Sequence, residues 1–347
     1  MTAPSDRRVE RGVAGRWRPV DSGTPLRPVA SAAVNRSTAL LLSTALVLSG
    51  LGACSSDSDG DTAPGAAPTA SAASGSSTTA PPSTTTTVPA PLEDQTPPVT
   101  VNGLTVQGDT LWVASIEADQ VVQLDRRTGA ILARFDTNGA GPDDVAIAPD
   151  GSIWVTGFGN GDLGRIRDGS YEVVTTMAAG INPLEFTADG TLLVGTYGPG
   201  GTLYEVPADG GAPVVRAEDL PDINAFGIAE DGTVLAPAGG IGGPGSVVRI
   251  EPATGEVTTV VADLEPVAAG ATDAEGTFFV LSNITGEVLE VDAEAGTATR
   301  RHLVPTGAPF DNLAFADDGT LYLTSFGASS ITEVSPAGDV RQIALGG

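Results

Sequence analysis

An all-β chain closed as a six-bladed β-propeller is the fold class this sequence predicts, and three regularities predict it. First, an Asp-Gly or Glu-Gly pair recurs at Asp150-Gly151, Asp189-Gly190, Asp231-Gly232, Glu275-Gly276 and Asp318-Gly319. Successive glycines of that series stand 39, 42, 44 and 43 residues apart, and the reversed pair Gly108-Asp109 begins the series one repeat earlier. Second, another glycine follows each turn by about twenty residues, at Gly129, Gly169, Gly210, Gly255, Gly296 and Gly338. Such pairs supply the positive φ angles that tight hairpins need. Third, short alternating runs rich in β-branched and aromatic residues lie between the turns, as in residues 110–114, 152–156 and 320–324. A repeat of this length with two hairpin turns reads as four strands, which is one propeller blade. Residues 99–347 hold six such repeats. No stretch sustains the 3.6-residue period of a helix.

The segments before the repeat read differently. Residues 1–53 are expected to be a signal peptide. Arg36 precedes an apolar and small-residue run from Ser37 to Ala53, which is shorter and richer in Ser, Thr and Gly than a membrane-spanning helix. Residues 1–33 make the leader long, and Val34, Val29 or Val20 are candidate alternative starts. Cys54, the single cysteine, follows directly and excludes an internal disulfide. Leu51-Gly52-Ala53-Cys54 resembles the lipobox of bacterial lipoproteins. That resemblance implies a diacylglyceryl group on the Cys54 thiol and cleavage before it. Two or more acyl chains anchor a protein durably, so the chain is expected on the outer face of the cell membrane. Residues 54–98 are a Ser/Thr/Ala/Pro-rich tether with too few apolar side chains to fold alone.

Charge narrows the partners. Every basic residue is Arg, and after residue 53 only 10 of them face 40 Asp and Glu. So acidic a body repels phosphate backbones, so no nucleic-acid partner is expected. It suits solubility outside the cell, or cation binding.

Superposing the repeats on the first glycine turn isolates one column. It reads Asn102, Asp143, Asn182, Asn224, Ala268 and Asp311. Five of these six carry oxygen donors at the expected start of an inner strand, where a propeller places the mouth of its channel. The following columns read as mixed and then apolar, with Leu104, Val145, Leu184, Phe226 and Leu313 in the latter. Carboxylates and amides converging on one axis suit a hard divalent cation such as Ca²⁺. No His or Cys stands in the column to favour a soft metal. Asn and Asp also begin strands for turn reasons alone, so the expectation turns on whether these side chains converge.

Two family resemblances follow. Pro142-Asp143-Asp144-Val145, continuing to Asp150-Gly151 and Trp154, resembles the blade motif of the SMP-30/gluconolactonase/LRE-like propellers, over residues ~99–347. Asn102-Gly103-Leu104 and Asp311-Asn312-Leu313 resemble its other inner-strand starts, which recur in paraoxonase-type lactonases. That resemblance implies a divalent metal at the channel mouth that polarises a lactone carbonyl, with an Asp as general base. It carries onto Asn102, Asp143, Asn224 and Asp311. Asp144 replaces the family's glycine, and its metal-binding Glu has no counterpart. Asp150–Thr156 with Asn160–Ile166 is similar to blades of virginiamycin B lyase. Lyase chemistry needs a catalytic His, and the one His of the chain, His302, falls outside the column as an expected surface residue.

Two functions stay open. One is a metal-dependent lactone or ester hydrolase, with Asn102, Asp143, Asn182, Asn224 and Asp311 on the ion and Asp143 or Asp311 as base. Glu117, Phe158, Tyr197 and Phe326, on loops at the same end, would line its pocket. The other is a non-catalytic surface propeller that binds a small molecule, a cell-wall component or a partner. Gly239–Gly245 does not fit a phosphate loop and reads as a flexible loop over the mouth.

Overall fold

The computed structural model describes residues 88–239, 243–304 and 309–346. The signal segment, Cys54, most of the tether, and Gly240, Ile241 and Gly242 of the glycine-rich loop lie outside the described residues. Twenty-four strands form six antiparallel sheets of four, each built from consecutive strands. No helix occurs among the described residues.

The turn glycines do what their spacing predicts. Gly151, Gly190, Gly232, Gly276 and Gly319 all have φ between +79° and +87°, where a Cβ is poorly tolerated. The preceding acidic residue closes the turn. Asp150 Oδ1 accepts the Ser152 N–H at 2.9 Å, and Asp231 and Asp318 accept Thr233 and Thr320 N–H groups at 3.0 Å. Each inner strand ends at that turn. The six inner strands are Leu104–Gln107, Pro142–Ile147, Ile181–Phe186, Gly227–Ile228, Val267–Thr272 and Phe310–Phe315. Each meets the next, and the sixth meets the first, so the blades close a ring around a channel.

The apolar core is divided among the blade interfaces. Leu111, Val122 and Ile131 of blade 1 pack on Tyr322, Ile331 and Ile343 of blade 6. Trp154 of blade 2 lies against Leu184 and Leu192 of blade 3, and only 1% of it is exposed. Each sheet thus buries both faces on its neighbours, and its alternating side chains serve two interfaces.

Blade 6 is complete in itself, so no strand is exchanged across the seam. The seam is held by side chains and loops. Arg126 pairs with Asp318 at 2.6 Å, Gly346 N–H donates to Gly129 O at 2.9 Å, and Ser329 Oγ donates to Pro98 O at 2.6 Å. Residues 92–98, which composition assigns to the tether, lie along blade 1. Gln95 supplies an acceptor to Ile131 N–H at 2.8 Å and a donor to Ile131 O at 3.0 Å, satisfying both backbone groups of that outer strand.

A β-bulge interrupts the inner strands of blades 2, 3, 5 and 6 at the predicted column. In blade 2, Pro142 pairs with Gly157 and Val145 with Val155, so Asp143 and Asp144 together oppose Thr156. In blade 6, Asp311 and Asn312 oppose Thr324 in the same way. Register also shifts at Asn182-Pro183 and at Ala268, and Asn102 N–H and Gly103 O both bond to Ala114. The two threonines pin their bulges to the following blade. Thr156 Oγ1 accepts Asp144 N–H at 3.1 Å and donates to Asn182 O at 2.7 Å. Thr324 Oγ1 accepts Asn312 N–H at 3.2 Å and donates to Asn102 O. Both threonines are fully buried.

Thr156→Val and Thr324→Val keep the shape and delete the hydroxyl, leaving buried backbone groups unsatisfied. Each is expected to cost about 1–3 kcal/mol in urea denaturation. A loss below about 0.5 kcal/mol in both would remove the clamp from the account.

Candidate metal centre

Bulges re-aim side chains, and Asp143 and Asp311, each in a bulge, come close enough for the charge of Asp311 to raise Asp143. Asp143, Asn182 and Asp311 hold the second position of their strands, whereas Asn102 and Asn224 stand in the entering loops. Asn102 Nδ2 donates to Asp311 Oδ2 at 3.3 Å, joining blades 1 and 6. Burial, then the charges of Asp311 and Asp144, push the Asp143 carboxyl well above the usual carboxylate range. Burial pushes Asp311 up to about 6, with the Asn102 bond partly opposing. Burial, then the charges of Asp222, Asp311 and Asp143, raises the Tyr197 hydroxyl.

The predicted residues therefore gather in two linked groups. Asn102, Asp143 and Asp311 form one. Asn224 and Asp311 line a cavity of about 20 Å³ at the mouth, roughly the space of one water or one ion. Asn182 is buried, and its carbonyl, not its amide, receives the Thr156 hydroxyl. Tyr197 and Phe326 line the mouth cavity, and Phe158 packs edge-on against Tyr197 with ring centroids 6.2 Å apart. Glu117 does not join them. It is exposed, and the strand register gives Ile116, one residue earlier, as the counterpart of Phe158, Tyr197 and Phe326. His302 lies on the outermost strand of blade 5, far from the column as expected. It is half-buried, close to Gly338 of blade 6, instead of solvated.

Sequence reasoning missed a second tier. Asn312 Nδ2 donates to Asp144 Oδ1 at 3.1 Å, bridging blades 6 and 2 past blade 1. The bridge needs Gly103, because a Cβ there would come within 2.5 Å of the Asp143 carbonyl and of Asp144 Cα. Beyond it, toward the glycine turns, opens a cavity of about 520 Å³ lined by Asp144, Glu185, Asn312, Phe186 and Phe226. Burial raises Asp144 well above its usual value and Glu185 to about 7.

No cationic side chain balances these acids. Eight of the arginines form ion pairs on outer strands and turns, such as Arg216–Glu205 at 2.6 Å and Arg300–Glu287 at 2.7 Å. None lines either cavity. Buried carboxylates without a counter-charge are costly unless protonated or bound to a cation. Among the described residues no three His, Cys, Asp or Glu side chains converge to hold a metal. An ion at the mouth would thus rest on two carboxylates supplemented by amide and carbonyl oxygens, a hard donor set of the kind Ca²⁺ accepts.

A carboxyl raised on folding gives up stability as pH climbs from its unfolded value near 4 to its folded value. In chelator, wild type should therefore lose stability relative to Asp311→Asn between pH 4 and pH 7. Thermal melts across that range check this, and parallel curves would contradict it.

No family model and no curated protein matches this chain. Solved structures do. Virginiamycin B lyase from Staphylococcus aureus is 16% identical with a TM-score of 0.53, covering 71% of this chain and 84% of that one. Regucalcin from Agrobacterium tumefaciens, a calcium-binding protein, is 18% identical with a TM-score of 0.53, over 66% and 83%. A gluconolactonase from Xanthomonas campestris is 16% identical with a TM-score of 0.55, over 67% and 84%. Both resemblances drawn from the blade motifs thus recur among solved folds, and the likeness shows that this chain shares their propeller architecture.

Proposed function

We propose that the channel mouth binds a divalent cation, Ca²⁺ by the hardness of its donors, and that the domain hydrolyses a lactone or related ester there. The observation carrying this is the pair Asp143 and Asp311, the first buried and the second half-buried, close enough for the charge of Asp311 to raise Asp143, with no Arg or His lining the mouth cavity. Asp143, Asp311, Asn102 and Asn224 would hold the ion, with Asn182 adjoining. A bound divalent cation supplies Lewis-acid polarisation of the ester carbonyl. Asp143 or Asp311 takes the proton from the attacking water as the acyl carbon–oxygen bond breaks, and the departing ring oxygen receives a proton. Tyr197, Phe158 and Phe326 form the wall against which an apolar ring would rest.

The second reading is a non-catalytic propeller whose ion rigidifies the axis while its surface binds a small molecule or cell-wall component. The size of the mouth cavity favours it, since about 20 Å³ takes an ion but not a lactone. We further propose that Cys54 is lipidated and holds the domain outside the cytoplasm. Its place directly after the apolar run supports this.

Chelated domain titrated with Ca²⁺ should gain melting temperature, and Asp143→Ala and Asp311→Ala should each lose most of that gain. Asp150→Ala, at a turn, should keep it. No Ca²⁺-dependent gain in wild type would overturn the cation site. A gain with no turnover of five- and six-membered lactones or phenyl esters would select the second reading. In fractionated cells, Cys54→Ser should move the protein out of the membrane fraction, and unchanged partitioning would refute the anchor.

A further inference from the structure

Asn283 directly follows the second strand of blade 5, Phe278–Ser282, and opens the loop after it. Gly270 pairs with Val280 as Leu184 pairs with Val194 and Leu313 with Leu323. Asn283 is therefore the blade-5 counterpart of Tyr197 and Phe326. Those positions are aromatic in blades 2, 3 and 6, and an amide stands in blade 5. In the same blade the inner-strand column carries Ala268, its one position without a side-chain oxygen. The two changes are reciprocal. Where the inner strand offers no oxygen, the neighbouring strand end does, and both residues line the same one-ion cavity with Asn224 and Asp311.

An independent observation points to a missing partner. Asn283 is 2% exposed, and its Oδ1 has no hydrogen-bond partner. An unsatisfied buried acceptor is costly, and native structures keep few of them without cause. Its backbone is fixed on both sides, by Asn283 N–H to Pro266 O at 3.3 Å and by Phe310 N–H to Asn283 O at 3.2 Å. The amide is thus held in the wall of a cavity whose other polar walls are Tyr197, Asp222, Asn224 and Asp311.

We infer that Asn283 is a ligand of the mouth cation, supplying through Oδ1 the oxygen that Ala268 withholds from blade 5. This rests on the cation site proposed above and extends its donor set to the loop after the second strand of blade 5. Asn283 is a binding residue, so its effect belongs to affinity and not to fold.

Calorimetric titration of chelated full-length protein with CaCl₂ tests it. Asn283→Leu fills the space without an oxygen and should weaken Ca²⁺ binding at least tenfold. Asn283→Asp adds a charged oxygen at the same place and should tighten binding several-fold, a gain that damage to the fold does not mimic. Wild type binding Ca²⁺ while both variants bind within twofold of it would overturn the role of Asn283 and leave the site standing. Wild type that binds no Ca²⁺ would remove the site itself.

Discussion

Two residues opposing one, at the head of the inner strand, govern what reaches the axis of this molecule. A regular strand sends successive side chains to opposite faces, which here would mean alternate blade interfaces. The bulge breaks that alternation and lets Asp143 with Asp144, and Asp311 with Asn312, contribute adjacent side chains to the channel. Thr156 and Thr324 hold the irregularity by bonding the bulged N–H and the next blade's carbonyl with one hydroxyl. Local backbone geometry, inter-blade cohesion and the polarity of the axis are therefore one arrangement.

Charge is sorted radially. Arginines sit on outer strands and turns in exposed or half-exposed pairs, where each pair contributes little to stability. The axis keeps its acids to itself. Desolvation and mutual repulsion oppose ionisation of Asp143, Asp144 and Asp311, and at neutral pH the relief available is a proton or an imported cation. The Asp144–Asn312 bridge lies between the small mouth cavity and the wider one beneath, so the two ends of the channel present separate chemistries.

The propeller was legible because its turns are local chemistry: a carboxylate closes each first hairpin and a glycine takes the positive φ, whatever lies elsewhere. The column was legible because superposed repeats expose a shared position. What escaped depended on register. Asp144 and Asn312 stand beside column residues, and period-two reasoning sends them away from the axis. Glu117 stands one residue past the pocket position, which Ile116 holds, because loop length hides alignment until strand pairs fix it. Asn283 shares its aligned position with Phe158, Tyr197 and Phe326, yet nothing in sequence marks it until the structure shows it lining the same cavity as Ala268. Residues 92–98 read as tether by composition, and one glutamine, Gln95, ties them to blade 1.

The self-contained blades have an architectural corollary. Many closed rings are latched by giving one sheet strands from both chain ends; here every sheet is a single uninterrupted segment, and the joint between first and last blade is a weld of side chains and loops. Severing the chain between any two blades and joining the old ends would leave all six sheets whole. The ring is thus indifferent to where the polypeptide begins, and whole blades are the natural unit for rearranging it.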